Sequence, residues 1–226
     1  MKDLMSINQG SDFNESLRVV FAHLHPKKLI ETGTYLGNGS TQIITSILKD
    51  FSYGSKFFSI ESNPVYIDQA RNNLISKELD GFVNLIYGLS IPRSMLPTKE
   101  QIRKKFVETK WPEGIYIDHP KDIRVERYFE ETNSLAPDNR LVWTLNEFNY
   151  RPDFVLLDSG GHIGSIEFNI LISSLRGSCV IALDDIYHVK HHESFNIVMK
   201  DPRFVPLVIS KEKFGFCIAR FEYGSN

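Results

Sequence analysis

The sequence has few cysteines, little net charge and no long hydrophobic run, and each shortage argues against a class of protein. It has two cysteines, Cys179 and Cys217, and both sit in apolar runs, which predicts buried free thiols rather than a disulfide framework. The formal net charge of −2 gives no indication of a nucleic-acid partner. No stretch is long enough to span a bilayer and no signal core follows Met1, so we expect a cytoplasmic protein with no membrane partner.

Two familiar phosphate-binding patterns are also missing from the glycine-rich turn in the first half of the chain. A dinucleotide fingerprint requires Gly-x-Gly-x-x-Gly, whereas the glycines here are Gly33, Gly37 and Gly39. A phosphate loop ends in Gly-Lys-Ser or Gly-Lys-Thr, but no lysine stands in Gly39-Ser40-Thr41. A nicotinamide-dependent oxidoreductase is therefore a remote alternative.

Strand-like and helix-like patterns alternate along most of the chain, which predicts an α/β fold. The predicted strands are residues 28–31, 56–61, 82–88, 153–158, 177–183, 204–208 and 214–219. A short polar link joins the last two, so we expect them to be antiparallel neighbours. The prediction is one domain over residues 1–226, with a mostly parallel seven-stranded sheet, an antiparallel last strand and helices on both faces.

The regular pattern is interrupted at about residues 91–150, where prolines, charges and both tryptophans are mixed. Short helical patterns occur there at residues 98–108 and 122–132. A long connection of this kind is usually functional or mobile. We therefore expect an insertion that acts as a lid or recognises the substrate; a structural insertion or an oligomer contact is the alternative, and a homo-oligomer stays open.

Five acidic residues stand at the carboxyl ends of predicted strands. They are Glu31, Glu61, Asp158, Asp184 and Asp185. In open α/β sheets ligands bind beyond the carboxyl ends of the strands, near the point where the strand order reverses. We therefore expect these acids to line one rim around a binding site.

The glycine turn and the next acid suggest a cofactor. Glu31-x-Gly33-x-x-x-Gly37 resembles the first motif of class I S-adenosylmethionine (SAM)-dependent methyltransferases. An acid in the position of Glu61 accepts hydrogen bonds from ribose hydroxyls in nucleotide-binding folds, and capping of the next helix is its alternative role. The resemblance implies a Rossmann-like class I methyltransferase fold and a SAM site. The implied cofactor-binding residues are Glu31, Gly33, Thr34, Tyr35, Gly37, Ser40, Glu61, Ser62, Gly88 and Ser90.

A second group of acids suggests a divalent metal. Asp158 ends one predicted strand and the pair Asp184-Asp185 ends the next. Three neighbouring carboxylates repel one another unless a cation or protons intervene, and hard oxygen ligands suit Mg²⁺ or Mn²⁺. The alternative is that Asp184 or Asp185 caps the following helix.

These motifs together resemble the macrocin-type O-methyltransferases, which methylate sugar hydroxyls with the help of a divalent metal. The resemblance covers about residues 27–90 and 153–220. It implies that Asp158, Asp184 and Asp185 hold the metal. The metal would bind two hydroxyl oxygens of a small substrate and lower the pKa of one of them.

The chain departs from this family at two places. Some relatives have a histidine three residues after the first acid, whereas His162 comes four residues after Asp158. His162 is still the predicted general base, beside Asp158 as the other catalytic residue; its alternative is a structural histidine at a helix start. Leu89 stands where many relatives have an acid near the adenine.

The predicted function is a SAM-dependent O-methyltransferase acting on a small hydroxylated molecule, such as a sugar or a natural product. A catalytically inactive binding or assembly module is the alternative.

Overall fold

The computed structural model describes residues 10–132 and 135–224 and shows one seven-stranded sheet between helices. The strands are β1 (Lys28–Thr32), β2 (Lys56–Glu61), β3 (Asn84–Tyr87), β4 (Phe154–Leu157), β5 (Cys179–Asp184), β6 (Phe204–Ser210) and β7 (Phe216–Phe221). Their order in the sheet is β3-β2-β1-β4-β5-β7-β6, and β7 alone runs antiparallel to its neighbours. The predicted sheet, including its antiparallel last strand, is confirmed.

Eight α-helices connect or cover the described strands. They are α1 (Asp12–Leu24), α2 (Ser40–Phe51), α3 (Pro64–Ile75), α4 (Lys99–Arg103), α5 (Arg124–Thr132), α6 (Arg140–Glu147), α7 (Gly164–Ser174) and α8 (His192–Val198). Local capping explains where two of them begin. The Ser11 hydroxyl caps α1, and the side chain of Asn63 accepts a hydrogen bond from the Val65 N–H at 2.9 Å to cap α3. Within the described ranges, no helix has the length and apolar character needed to cross a membrane.

Alternate side chains of the central strands enter two separate hydrophobic cores. On one face, the side chains of Leu29 and Phe57 pack with α1 and α2. On the other face, the next residues along the strands, Ile30 and Phe58, pack with α6 and α7. This burial on both faces explains why the strands appear in the sequence as continuous apolar runs. Both cysteines are buried and free, as predicted.

The connection between β3 and β4 contains three of the helices. Residues 104–108 extend α4 by a short π-helical segment, and α5 packs against both. A third core lies here, in which Ile102, Phe106 and Tyr128 pack with Val189 from the loop between β5 and α8. By contrast, α6 buries Leu141 and Leu145 in the core beneath the sheet. The sequence pattern gave no indication of α6, which belongs to the layer that covers the sheet.

Candidate functional site

The five predicted acids lie along the carboxyl edge of the sheet at different depths. Glu31 of β1 is fully buried, and Glu61 at the end of β2 is 9% exposed. Asp158 follows β4, and Asp184 and Asp185 lie at the end of β5; all three are partly exposed. Because β1 and β4 are neighbours in the sheet, the chain order reverses between them. The acids share the edge of this switch point, but only the three aspartates reach its open rim.

The turn after β1 requires glycine at two positions. Gly33 has a φ of +88°, and a Cβ at this position would lie 2.2 Å from the backbone oxygen of Asp158. Gly37 has a φ of +66°, and its Cβ would lie 2.9 Å from the Cβ of Ala70 on α3. Both positions combine a left-handed backbone with a close neighbour, which only glycine accommodates without strain. The turn is therefore fixed against β4 on one side and α3 on the other.

Glu31 stabilises this turn from inside the protein. Its carboxylate accepts hydrogen bonds from the hydroxyls of Ser40 and Thr41, both at 2.6 Å, and of Ser59 at 2.5 Å. The hydroxyls of Thr34 and Ser59 are 2.6 Å apart. Burial raises the pKa of Glu31 to about 7, although the three hydroxyl donors lower it. The geometry gives Glu31, Ser40 and Thr34 a supporting role in the turn, and their direct contact with a cofactor stays a prediction.

Glu61 joins the glycine turn to the start of α3. One carboxylate oxygen accepts the backbone N–H of Tyr35 and the other accepts that of Asn63, both at 2.8 Å. Burial raises its pKa, against the backbone hydrogen bonds from Asn63, Tyr35 and Ser62. Ser62 is partly buried beside it, and Tyr35 is 39% exposed at the outer side of the turn. The carboxylate is thus fixed in direction at the position predicted for a ribose contact.

The segment predicted to lie near the adenine is covered by another part of the chain. A Cβ on Gly88 would lie 2.3 Å from the backbone oxygen of Pro137, and the N–H of Leu89 donates to that same oxygen at 2.8 Å. Ser90 is 4% exposed, and its side chain hydrogen-bonds Glu167. The structure therefore does not bring Gly88 and Ser90 to the open rim with the aspartates.

A lysine lies among the three aspartates of the rim. Carboxylate oxygens of Asp158, Asp184 and Asp185 lie within 4.8 Å of one another. The Nζ of Lys190 is 2.6 Å from Oδ1 of Asp158 and 2.7 Å from Oδ2 of Asp185. The Lys190 side chain is only 6% exposed. Its ammonium is thus a buried cation held by two of the three predicted metal ligands.

The charged groups of this cluster shift one another's pKa values. Burial lowers the pKa of Lys190, but the carboxylates of Asp158, Asp185 and Asp184 outweigh this effect and raise it well above its usual range. Burial and the two neighbouring carboxylates raise the pKa of Asp184 well above its ordinary value. Burial also raises the pKa of Asp158, while the Lys190 ammonium opposes the rise. The cluster therefore favours the charged form of Lys190 and shifts Asp184 towards its protonated form.

The donor set by itself suits a hard divalent ion, but the arrangement around Lys190 does not. A bound Mg²⁺ takes oxygen ligands at about 2.1 Å in octahedral geometry. Here one oxygen of Asp158 and one of Asp185 are already paired with the ammonium. An ammonium and a divalent ion cannot occupy the same position between these oxygens. The residues as arranged do not fit the predicted Mg²⁺ or Mn²⁺, and we assign no step to a metal.

The predicted general base is buried beneath the connection. The His162 side chain has no exposed surface, and its Nε2 lies 3.1 Å from the hydroxyl of Thr132 on α5. Its Nδ1 lies 3.5 Å from Oε2 of Glu131, and the ring of Tyr128 is 5.0 Å away between centroids. A base must come within hydrogen-bond reach of the proton that it removes. In this arrangement His162 contacts α5, which lies between it and solvent.

A second histidine, His188, faces an acid from the connection. The Nε2 of His188 is 3.1 Å from Oδ1 of Asp118, and the Tyr128 hydroxyl donates to the other oxygen of Asp118 at 3.3 Å. Burial raises the pKa of Asp118, but the hydrogen bond and charge of His188 and the nearby cations lower it overall. A Cβ on Gly161 would lie 2.4 Å from Asp118, so this glycine provides room for the contact. Asp118 therefore joins the connection to the carboxyl edge.

The residues that complete this site differ in how clearly the sequence pattern indicated them. Lys190 lies in the loop that follows the acid pair, so its proximity was visible, but its burial was not. Glu167 is a lone acid in the apolar pattern of α7, which is a signal of a buried polar group. Asp118 lies in the irregular connection between β3 and β4, and its contact with His188 depends on the path of that whole connection.

Comparisons with known proteins identify the fold. No family model and no curated protein matches the chain. An O-methyltransferase from Bacillus cereus, solved with S-adenosylhomocysteine (SAH), matches with a TM-score of 0.57 and 13% identity over 97% of this chain and 85% of that chain. The O-methyltransferase TomG from Streptomyces achromogenes, involved in tomaymycin synthesis and solved with SAM, matches with a TM-score of 0.56 and 13% identity over 96% and 82%. The chain therefore has the Rossmann-like fold of class I methyltransferases.

Proposed function

We propose that this protein is a SAM-dependent O-methyltransferase that acts on a small hydroxylated molecule. The observation that carries the proposal is the position of two different sites on one carboxyl edge. The glycine turn and Glu61 lie on one side of the switch point, and the charged cluster around Lys190 lies on the other. The likeness of the fold to O-methyltransferases solved with SAH or SAM supports this proposal.

The cofactor side offers groups that suit a nucleoside with an amino-acid tail. Glu61 is oriented by two backbone N–H groups, and we assign its carboxylate to the ribose hydroxyls. The helix α2 follows Gly39 without a side-chain cap and has no acidic residue in its first turn. Its free N–H groups therefore favour an anionic ligand group such as a carboxylate. Bound SAM supplies an electrophilic methyl carbon on a sulfonium.

The acceptor side offers a partly exposed carboxylate next to a cation. We assign Asp158 to the acceptor hydroxyl, because it lies at the open rim whereas His162 lies under α5. Asp158 accepts the hydroxyl proton as the oxygen forms its bond to the methyl carbon, and the carbon–sulfur bond breaks with its electrons going to sulfur. The Lys190 ammonium stabilises the negative charge that develops on the oxygen. His162 acts as a positioning residue through its contact with Thr132.

A sugar or a related polyhydroxylated natural product is the acceptor that we propose to test first. The resemblance to macrocin-type enzymes supports this choice. The rim also carries the partly exposed carboxylates of Asp185 and Asp118, which suit a molecule with adjacent hydroxyls. Phenols, polyketides and lipid head groups complete the panel.

Transfer of a labelled methyl group from SAM to this panel tests the proposal. We expect Asp158→Asn to lower turnover by about a hundredfold or more, since a lost general base has effects of this size, while its affinity for SAH stays unchanged. Asp68→Asn is the matched control, because Asp68 is an exposed residue of α3. Undiminished turnover in Asp158→Asn would remove Asp158 from the mechanism.

One observation favours a second function, a binding or assembly module without catalysis. The backbone oxygen of Pro137 lies over Gly88 and Leu89, where the resemblance places the adenine. Such a module would not bind SAH at millimolar concentration. Failure of the wild-type protein to bind SAH would therefore favour this second function over methyl transfer.

A further inference from the structure

Lys190 is built into the acid cluster rather than lying against it from solvent. Its loop returns from the end of β5 to the start of α7, where Gly164 lies directly against the lysine side chain. A Cβ on Gly164 would lie 2.7 Å from Cγ and 2.8 Å from the backbone oxygen of Lys190. Gly164 thus provides the space in which the aliphatic part of the lysine is buried. This packing holds the Lys190 side chain in the direction that brings its ammonium into the cluster.

The ammonium contacts two of the three carboxylates that a metal would need as ligands. Metal coordination would draw on oxygens of Asp158, Asp184 and Asp185, which lie within 4.8 Å of one another. The Lys190 nitrogen is within 2.7 Å of two of these residues. A cation between close carboxylates relieves their mutual repulsion, and one that is covalently attached needs no supply from solution.

We propose that the Lys190 ammonium is the resident cation of the cluster of Asp158, Asp184 and Asp185, and that it excludes divalent metals from this position. The cluster is metal-free in the working protein and becomes a metal site only when the ammonium is removed. This inference concerns cation binding, so it holds whether or not the protein transfers methyl groups. If the proposed function is also correct, methyl transfer is insensitive to chelators.

Titration with Mn²⁺, followed by electron paramagnetic resonance of the free ion, tests this inference directly. The proteins compared are the wild type, Lys190→Met, Lys190→Ala and the control Lys200→Met, which removes an exposed lysine. We expect no stoichiometric binding to the wild type or to the control at about 1 mM Mn²⁺. The two Lys190 variants should bind one Mn²⁺ at least about tenfold more tightly, because three carboxylates are then left without their cation.

A second substitution shows where the new ion binds. Adding Asp184→Asn to Lys190→Met should remove the gained Mn²⁺ site, because it removes one of the three carboxylates. Stoichiometric binding to the wild type that Asp158→Asn abolishes would overturn the inference. Folded Lys190 variants that gain no site would overturn it as well.

The wild-type titration decides the matter if both Lys190 variants fail to fold. Stoichiometric Mn²⁺ at the cluster would then contradict the inference, and its absence over the same range would support it. Titration of SAH into the same samples separates this result from the proposed function. A wild-type protein that binds neither SAH nor Mn²⁺ would refute methyl transfer and leave the role of Lys190 intact.

Discussion

Lys190 compensates the charge of two carboxylates that have little access to water. The side chains of Asp158 and Asp185 are 20% and 25% exposed, and that of Lys190 is 6% exposed. If the ammonium is removed from such a buried group, the negative charge of the carboxylates is no longer compensated. This costs more stability than the loss of an ion pair at the surface. The cluster is therefore expected to contribute to folding as well as to the proposed reaction.

Lys190→Ala should lower the free energy of unfolding by about 3 kcal/mol, because it leaves buried carboxylates unpaired. Urea denaturation at pH 7, with and without Mn²⁺, measures this effect. Mn²⁺ should restore part of the lost stability in the variant and leave the wild type unchanged. The variant Lys200→Ala, which removes an exposed lysine, is the control. Equal stability of Lys190→Ala and the wild type would contradict the buried ion pairs.

Glu167 provides a pH-dependent test at the residue scale. It is fully buried, and burial raises its pKa from 4.5 to about 7, although hydrogen bonds with Ser159, Ser90 and Thr32 lower it. A carboxyl group with a higher pKa in the folded protein binds protons more tightly there than in the unfolded chain. Its contribution to stability therefore falls as pH rises from about 4.5 to about 7 and stays constant above that range.

Glu167→Gln, which does not titrate, should lack this dependence. The stability of the wild type relative to the variant should fall by about 1.4 kcal/mol for each pH unit within this window, since one group is responsible. Urea denaturation of both proteins at several pH values between 4.5 and 8 gives the difference. Parallel stability curves would show that Glu167 titrates alike in the folded and unfolded states.

The residues of the site divide into those that a sequence pattern can place and those that need the tertiary structure. The strand-end acids were predictable, because a strand boundary fixes the edge at which its last residue lies. Burial was not: Glu31 turns inward to Ser40 and Thr41 and supports the turn. The ion pairs of Lys190 depend on how the loop after β5 folds back onto α7.

At the scale of elements, the turn between β1 and α2 is the part that the local sequence determines most strongly. Its glycines allow β1 and β4 to approach so closely that the carbonyl of Asp158 touches Gly33. The carboxyl ends of β1 and β4 therefore lie at the same point of the sheet edge. The turn therefore links the predicted cofactor side to the charged cluster.

Gly33→Ala should destabilise the protein by about 2 kcal/mol more than Gly54→Ala, because it adds a steric overlap to an unfavourable backbone conformation. Both glycines have positive φ, at +88° and +64°, but a Cβ on Gly54 meets nothing within 4 Å. Thermal or urea denaturation of the two variants isolates the effect of the close approach. Equal losses of stability would mean that the turn can move away from β4.

The connection between β3 and β4 shows where prediction from the sequence ends. The patterns at residues 98–108 and 122–132 correspond to α4 with its π-helical extension and to α5. The pattern did not reveal α6, because only part of its surface is apolar and a mixed sequence surrounds it. Nor could it show that α5 covers His162 or that Asp118 reaches His188, since both contacts join residues far apart in the chain.

At the scale of the whole molecule, the order of the strands brings the two halves of the proposed site together. Alternating strands and helices made a parallel sheet predictable, and the polar link before β7 indicated its antiparallel end. The switch point arises because β1 lies beside β4. This neighbour relation depends on how the complete sheet packs, so the local sequence pattern does not predict it. The same arrangement gives the chain its likeness to methyltransferases despite 13% sequence identity.

Calorimetric titration of SAH into the wild-type protein, in Mg²⁺ and again in EDTA, tests the central claim most directly. We predict binding at one site with the same affinity in both conditions, because we assign the cofactor to the glycine turn and Glu61 and the cluster already contains Lys190. Glu61→Gln should weaken this binding about tenfold, since a charged hydrogen-bond acceptor is lost. Absence of binding in both conditions would contradict the assignment of this carboxyl edge to methyl transfer from SAM.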